Sequence, residues 1–345
     1  MAPTIHDVAR LAEVSIKTVS NVLNDYPHIR PATKQRVLDA IKTLDYRPNL
    51  TARGLRSGRT GLVSLIIPDL RNAYFAELAD VVMGAADQRG LSVIISQSGA
   101  DRERELSLLR GPRMQLVDGI LFSVLALSES DHDLLAEIRT PMVLLGERIL
   151  HGPKDHVTMR NTAGMRAATE HLISQGRRRL LAFGADDAQG LGSATLRLEG
   201  YQQALAAADI AFDEDLVVDV VGWFRSTGAA AMRAFLDRGI AFDGVVAFND
   251  AIALGAMRVL QEAGLSIPDD VAVIGFDDID ETRYTLPTLS TVDPGRREIA
   301  EVSLRFLAER IEQPSMSDLP PREYLSEFSV IARESSSMKK FSAES

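Results

Sequence analysis

The sequence contains no cysteine, only one tryptophan, and no apolar run long enough to cross a membrane. The absence of cysteine excludes disulfide frameworks, thiolate metal sites such as zinc fingers, and a cysteine nucleophile. A membrane-spanning helix needs roughly 18 consecutive apolar residues. The first residues, MAPTIHDVAR, also lack the basic-then-apolar pattern of a secretory signal. We therefore expect a soluble protein that is not exported.

Positive charge is scarce overall but is concentrated near the N-terminus. The 345 residues carry a net charge of −10, whereas residues 1–60 contain ten Lys and Arg against five Asp and Glu. A basic head on an acidic body is typical of a protein that binds nucleic acid. Charge alone is explained equally well by a solvated basic surface. The length favours two or three domains over a single core.

The pattern of the first 45 residues predicts three short helices. Thr4 can cap the first, Ser15 can cap the second, and Pro31 can open the third. The expected inward residues of the second and third helices are Val19, Val22, Leu23, Val37, Leu38, Ile41 and Leu44. A tight turn at Glu13 and Val14 between the first two helices predicts a helix-turn-helix, and the polar face of the second helix suits the DNA major groove. A small surface bundle is the alternative.

The segment NLTARGLRSGRT could form only about two turns of helix, and so short a helix is marginal in water. Gly54 weakens it by about 1 kcal/mol relative to alanine. A marginal helix carrying Arg53, Arg56 and Arg59 with an exposed Leu55 suits ordering against DNA, where the leucine can enter the minor groove. A flexible basic linker is the alternative.

After residue 61, short apolar runs alternate with longer amphipathic stretches. One set of runs is LVSLII, LSVIIS, GILFSV and MVLLG, and a second set is RLLAFGA, LVVDVV, GVVAF and VAVIGF. Continuous Val, Ile and Leu runs indicate strands that are buried on both faces, so we expect parallel sheets covered by helices. Two sets predict two lobes, with ligands bound beyond the carboxyl ends of the strands.

Polar and aromatic residues stand at the predicted strand ends, and we single them out as candidate ligand contacts. The flat ring of Trp223 could stack on a sugar ring, while Arg197 and Asp277 could donate to and accept from its hydroxyls. A packing aromatic and a structural ion pair are the alternatives. The full candidate set is Asn72, Tyr74, Phe75, Arg197, Trp223, Asn249 and Asp277.

The runs TIHDVARLAEVSIKTVSNVLN and RPATKQRVLDAIKTLDYRPNLTARGLRSGRTGLVSLIIPD resemble the N-terminal region of the LacI/GalR family of bacterial transcription regulators. Asn21 replaces a frequent arginine of that family, and Glu13 stands where a turn glycine is usual. The resemblance implies base-reading positions at Ile16, Lys17 and Asn21. It implies further DNA contacts at Thr4, Ser15, Thr18, Ser20, Asn24, His28, Thr33, Tyr46, Asn49, Ala52, Arg53, Leu55 and Arg56.

The rest of the chain resembles the family's periplasmic-binding-protein-like body through GMRAATEHLISQG, FNDAIALGAMRVLQEAGLSIPDDVAVIGFDDI and PTLSTVDP. The implied fold is α/β: a three-helix helix-turn-helix head with a hinge helix, then a two-lobed body of parallel β/α sheets whose chain crosses between the lobes three times. The implied boundaries are 1–48 for the head, 49–60 for the hinge, 61–335 for the body and 336–345 for a flexible tail. Within the body, the lobe near DNA comprises 61–160 with 293–320, and the distal lobe comprises 161–290 with 321–335.

The function implied by the resemblance is a cytoplasmic, nucleoid-associated bacterial regulator, a repressor that binds a pseudo-palindromic operator as a homodimer. A sugar or sugar-like effector between the lobes would control whether two hinge helices can meet on DNA, and both induction and co-repression stay open. Arg160 stands where the family often has aspartate, so a basic cleft for an acidic sugar or other anion is a hypothesis.

Other classes have weaker support in the sequence. No P-loop, zinc-protease or nucleophile-elbow motif occurs, so we expect no catalytic residues and no cofactor. Asp277, Asp278 and Asp280 form an acidic cluster, but acids are common in loops at strand ends, and we expect no metal. The alternatives are a transport-type sugar-binding protein and an α/β enzyme with a DNA anchor. A steep salt dependence of duplex binding would favour the regulator.

Overall fold

A computed structural model describes residues 3–23, 26–46, 59–185, 192–313 and 319–337. The chain divides into two compact units, residues 1–60 and 61–345, which are called the head and the body below. Across the described ranges, no helix combines the length and the apolar character that crossing a membrane requires.

The described residues of the head form three helices: α1 (Ile5–Leu11), α2 (Ile16–Leu23) and α3 (Pro31–Thr43). Its core is built from Val8, Ala9, Ala12, Val19, Val22, Val37 and Ala40. Ile41 and Leu44 pack partly against this core as predicted, but the prediction for Leu38 is wrong, because that side chain is 42% exposed.

Local hydrogen bonds explain where the first two helices begin. Thr4 donates to the Asp7 carboxylate from its backbone N–H at 3.0 Å and from its hydroxyl at 2.7 Å. Ser15 Oγ accepts the Thr18 backbone N–H at 3.1 Å, as a capping side chain does. Between the helices, Glu13 has a left-handed φ of +52°, the conformation in which glycine carries no steric penalty.

The first lobe of the body is a parallel six-stranded sheet in the order β11-β5-β4-β3-β1-β2. Alternate residues of β1 point to opposite faces: Val63, Leu65 and Ile67 pack with the first and last helices of the lobe, and Ile66 packs on the other side. The strands are β1 (Leu62–Ile67), β2 (Ser92–Gln97), β3 (Gly119–Ser123), β4 (Met142–Leu145), β5 (Asp155–Thr158) and β11 (Glu323–Leu325). The helices are α4 (Ala73–Asp87), α5 (Arg102–Arg110), α6 (His132–Glu137) and α11 (Arg296–Glu312).

The second lobe is a parallel four-stranded sheet in the order β7-β6-β8-β9, and its helices pack as the pairs α7·α8 and α9·α10. The strands are β6 (Leu180–Ala185), β7 (Val217–Asp219), β8 (Gly244–Ala247) and β9 (Ala272–Ile274). The helices are α7 (Asn161–Ser174), α8 (Ser193–Ala207), α9 (Arg225–Leu236) and α10 (Asp250–Glu262).

Three segments of chain connect the lobes: β5 to α7, β10 to α11, and β11 to β12. The short strands β10 (Thr291–Asp293) and β12 (Ser329–Ile331) pair antiparallel in a small sheet of their own. The carboxyl ends of β1, β3 and β4 and those of β7 and β8 are followed by residues that line one cavity, which is described below.

Two sequence-based boundaries need correction. Residues 321–335 were assigned to the distal lobe, but Glu323–Leu325 pairs with β5 of the first lobe. The reason is the preceding Arg322, whose guanidinium Nη2 lies 2.7 Å from the buried Asp155 carboxylate. The expected flexible tail from 336 is wrong at its first residue, because Ser336 is fully buried and its Oγ lies 2.7 Å from His171 Nε2.

Candidate DNA-binding face and ligand cleft

In the head, α2 presents one polar face opposite its core residues. At 100° per residue, Lys17, Ser20 and Asn21 project on the side away from Val19 and Val22. Lys17 is exposed, and Ser20 and Asn21 are half-buried. This face combines a cation with hydroxyl and amide groups, the chemistry that reads base edges and phosphates.

The other predicted DNA contacts differ in their surroundings. Thr4 and Ser15 stand at the starts of α1 and α2, and Thr18 donates its backbone N–H to Ser15 Oγ. Ile16 and Tyr46 pack partly against the head core, and His28 is exposed with its ring 5.5 Å from that of Tyr26. Thr33 lies half-buried in the first turn of α3. The remaining predictions lie outside the described residues: Asn24, Asn49, Ala52, Arg53, Leu55 and Arg56.

In the body, both lobes line a cavity of about 390 Å³. The lining follows the carboxyl ends of strands in both sheets, where ligands bind in open α/β folds. All seven of the predicted ligand residues line it: Asn72, Tyr74, Phe75, Arg197, Trp223, Asn249 and Asp277. The residues that were singled out from the sequence therefore lie around one cavity. Their contact with a ligand stays a prediction.

Arg197, on α8, has a side chain that is only 3% exposed. Its Nε donates to Asn161 Oδ1 at 2.8 Å, and its Nη1 donates to the Phe248 carbonyl. Its guanidinium carbon lies 3.8 Å from the ring centroid of Phe276, a stacked cation–π contact. These contacts fix the guanidinium in place, so it meets a ligand as a preorganised donor.

Asp277 lies beside Arg197, with Oδ1 3.7 Å from Arg197 Nη2. Burial raises the pKa of the Asp277 carboxyl to about 7, although Arg197 and Arg296 oppose the rise. Its φ of +116° and the φ of +48° at Asp278 lie where side-chain-bearing residues are strained. The fold therefore holds the titratable Asp277 carboxyl at the cleft wall on a strained stretch of backbone.

Trp223 and two helix caps complete the predicted set. The Trp223 indole is half-buried, its Nε1 donates to the Gly184 carbonyl at 3.1 Å, and its ring packs edge-on against Phe248. Asn72 and Asn249 cap α4 and α10 by accepting backbone N–H groups at 3.1 and 2.9 Å. Trp223 is thus a packing aromatic that also lines the cleft, and its stacking on a sugar ring stays a prediction.

Glu147 and Phe224 also line the cleft but are not in the set predicted from sequence. Glu147 is 5% exposed, accepts from Asn161 Nδ2 at 3.2 Å, and accepts from the Ser193 hydroxyl across the lobes. Glu147 follows β4 directly after MVLLG, and Phe224 follows Trp223, so the strand-end rule would have found both.

The hypothesis of a cleft made basic by Arg160 is not supported by its position. The Arg160 guanidinium lies 3.1 Å from Glu327 and is not among the residues that line the cavity. Among the described lining residues, Asp69, Glu147 and Asp277 balance Arg71, Arg148 and Arg197 in formal charge.

The acidic cluster after β9 does not converge on a common point. Asp277 faces Arg197, while Asp278 accepts from Arg283 and Arg333, each at 2.6 Å. Among the residues placed by the structure, no group of three or more His, Asp or Glu is arranged to hold a metal ion.

Comparison with known proteins matches most of the head and part of the body to two family models. Residues 4–49 match the model for bacterial regulatory proteins of the lacI family, and residues 169–336 match the model for a periplasmic binding protein-like domain. A LacI-family transcriptional regulator from Sanguibacter keddieii is 47% identical with a TM-score of 0.75, and the match covers 81% of this chain and 100% of that chain.

Two further solved structures match nearly the whole length. The complex of the transcriptional regulator CelR with cellobiose is 31% identical, with a TM-score of 0.70, and the match covers 96% of this chain and 99% of that one. The lac repressor dimer bound to operator and the anti-inducer ONPF is 25% identical, with a TM-score of 0.82 over 98% and 100%. These proteins are regulators rather than enzymes. The head with its polar α2 face, the two-lobed body and these full-length matches lead to one conclusion: the chain belongs to the LacI family of bacterial regulatory proteins.

Proposed function

We propose that this protein is a sequence-specific transcriptional repressor that binds a pseudo-palindromic operator as a homodimer in the bacterial cytoplasm, at the nucleoid. A neutral sugar held between the two lobes of the body controls its affinity for DNA. The proposed division is a head over 1–48, a hinge over 49–60 and a body from 61 to 336, with Glu323–Leu325 counted in the first lobe. The similar lac repressor dimer, solved on its operator, supports the DNA-binding part of this proposal.

The observation that carries the effector proposal is the composition of the cleft. Its volume of about 390 Å³ falls within the range typical of small-molecule sites. Acids lie beside two of the three arginines in its described lining, Asp69 beside Arg71 and Asp277 beside Arg197, and Glu147 is a third lining acid. Trp223, Phe75 and Tyr74 add aromatic surface. Fixed donors and acceptors beside an aromatic ring recognise a neutral ring with many hydroxyls, whereas an anion would need an excess of cations. The CelR–cellobiose complex supports the same ligand class.

A thermal-shift screen tests the effector proposal. Cellobiose, glucose and ribose are compared with gluconate and phosphate at matched ionic strength. A ligand at 100 times its Kd adds about 2.7 kcal/mol of stability, which raises the unfolding midpoint by several degrees. We expect a neutral sugar to produce this shift, Arg197→Leu to abolish it, and the surface variant Arg258→Leu to retain it. A shift with gluconate alone would contradict the neutral class.

DNA binding is tested by the salt dependence of affinity for duplex DNA and by selection of an operator from random sequence. We propose Lys17 and Asn21 as the central contacts, with the other predicted positions of the head around them. Lys17→Ala should reduce the salt slope by about one and weaken binding, whereas the exposed body residue Arg305 can be replaced by alanine without effect. A salt slope near zero for the unmodified protein would instead favour a sugar sensor without a DNA function.

The hinge positions Asn49, Ala52, Arg53, Leu55 and Arg56 are proposed as minor-groove and phosphate contacts on the grounds of sequence. Leu55→Ala should weaken operator binding and leave sugar binding unchanged, because the two sites are separate. Equal loss of both activities would contradict that separation.

A further inference from the structure

Arg296 stands at the point where the chain passes from β10 into α11, the last helix of the first lobe. Its guanidinium reaches back to the loop that follows β9 in the second lobe. Nη1 donates to the Asp277 carbonyl at 2.8 Å, and Nη2 lies 3.3 Å from the Asp278 carbonyl. One side chain of the first lobe therefore holds both residues of the loop whose backbone is strained.

Glu77, on α4 of the first lobe, completes this contact. Its Oε2 accepts from Arg296 Nη2 at 2.5 Å, and its Oε1 accepts the backbone N–H of Asp280 at 2.9 Å. The loop therefore has hydrogen bonds to the first lobe at both of its ends. Arg296 contacts the carbonyls of Asp277 and Asp278, and Glu77 contacts the N–H of Asp280. The two side chains are 16% and 27% exposed, so the pair is only partly screened by solvent.

Both partners adjoin the cleft. The loop carries Asp277, and α4, which Asn72 caps, carries Tyr74 and Phe75. All four residues line the cavity. A displacement of the loop or of α4 would therefore be transmitted to the other through the charge-assisted contacts of Arg296 and Glu77. A strained turn keeps its conformation only where the surroundings fix it. Here Arg283 and Arg333 hold the Asp278 carboxylate from within the second lobe, and Arg296 and Glu77 add contacts from the first lobe.

We infer that Arg296 and Glu77 are positioning residues that hold the effector loop 277–280 to α4 and couple the two walls of the cleft. The inference rests on the proposed effector cleft and deepens it, because it names the contact by which one lobe senses the other. When the pair is broken, the loop relaxes, the cleft opens more often, and α4 loses its tie to the second lobe.

The test uses the full chain without any sugar, so a failed sugar screen and a failed coupling test give different results. Trp223 is the only tryptophan of the chain and lines the cleft, so acrylamide quenching of its fluorescence measures how open the cleft is. Amide hydrogen exchange of peptides covering 73–78 and 276–281 reports on the two walls separately. Arg296→Met removes the contact, and Arg297→Met, at the exposed next residue of the same helix, is the matched control.

We expect Arg296→Met to raise the quenching constant about twofold and to speed exchange roughly tenfold in both peptides, while Arg297→Met changes neither. Glu77→Gln, which keeps the shape of the side chain, should produce a smaller change in the same direction. The double variant should change exchange by less than the sum of the two single variants, because each of them already breaks the Arg296–Glu77 contact.

Three results would overturn the inference. In the first, Arg296→Met matches Arg297→Met in quenching and exchange. In the second, only one of the two peptides loses protection, which shows a local role without coupling. In the third, the effects of the two single variants add in the double variant. If Arg296→Met does not fold, Glu77→Gln decides: joint loss of protection in both peptides supports the coupling, and unchanged protection refutes it.

Discussion

Replacing Gly255 with alanine should destabilise the second lobe, because α9 and α10 pack with their backbones in contact at this point. A Cβ built on Gly255 would lie 2.1 Å from the Arg225 carbonyl oxygen and 2.7 Å from the Ala229 nitrogen. Gly228 makes the reciprocal approach, with its Cβ position 2.6 Å from the Ile252 carbonyl oxygen. The atoms in the way belong to the backbone, so no side chain can rotate to make room.

The size of the effect follows from these distances. Ordinary van der Waals contact would require the helices to separate by about 1 Å, which a close-packed core resists. Overpacking typically costs about 1–3 kcal/mol, and a clash between backbones belongs at or above the upper end. For a unit as large as the body, about 3 kcal/mol lowers the unfolding midpoint by roughly 5 °C. Trp223 and Asn249 precede the two helices, so separation should also shift the fluorescence of Trp223.

The matched control is Gly84→Ala, a substitution of the same kind on α4. Nothing lies within 4 Å of its Cβ position, so only helix propensity changes, and stability should rise by about 1 kcal/mol. Thermal unfolding followed by far-UV circular dichroism separates the two variants by the sign of their shifts. The reasoning would be refuted if Gly255→Ala unfolded at the same temperature as the parent, or if both variants shifted in the same direction.

Three further predictions concern single residues. Glu13→Gly should relieve the left-handed turn of the head and stabilise it by about 1 kcal/mol, seen as slower amide exchange in α1 and α2. Because burial raises the pKa of Asp277 to about 7, the folded state binds its proton more tightly than the unfolded state, and stability from this group falls as the pH rises from about 4 to about 7. The unfolding midpoint of the parent should therefore fall relative to that of Asp277→Asn over this range, and parallel pH profiles would contradict this. Burial alone would raise the pKa of Asp155, but hydrogen bonds from Arg310 and Arg322 lower it. Asp155→Asn should therefore cost about 3–5 kcal/mol at neutral pH, and that loss should shrink as acid protonates the parent carboxylate, measured by denaturant unfolding.

The elements that could be predicted from sequence are those with a strong local signal. Runs such as LVSLII and GVVAF mark strands that are buried on both faces, and the structure places them inside parallel sheets. The cleft residues could be predicted from sequence for the same reason, because a residue that follows such a strand must lie at the carboxyl edge of the sheet. Thr4 and Ser15 marked helix starts through local capping chemistry.

The parts that escaped prediction depend on contacts between residues that are distant in sequence. Strand β11 has only three residues and no hydrophobic run, and it joins the first sheet because Arg322 meets Asp155. Ser335 and Ser336 resemble a polar tail, yet both are fully buried by hydrogen bonds to distant partners. The Arg296–Glu77 contact likewise joins residues on different helices, and no local pattern in either segment marks it.

The threading of the chain through both lobes has a consequence for biosynthesis. The first sheet requires Glu323–Leu325 at its edge, and the second lobe requires the Ser335 carbonyl, which accepts the Val273 N–H at 2.8 Å beside β9. A nascent polypeptide that stops short of residue 336 lacks a piece of each. We expect the body to remain incomplete on the ribosome until roughly its last 30 residues have emerged. The head has its three described helices within the first 46 residues, so it can fold as soon as it leaves the exit tunnel.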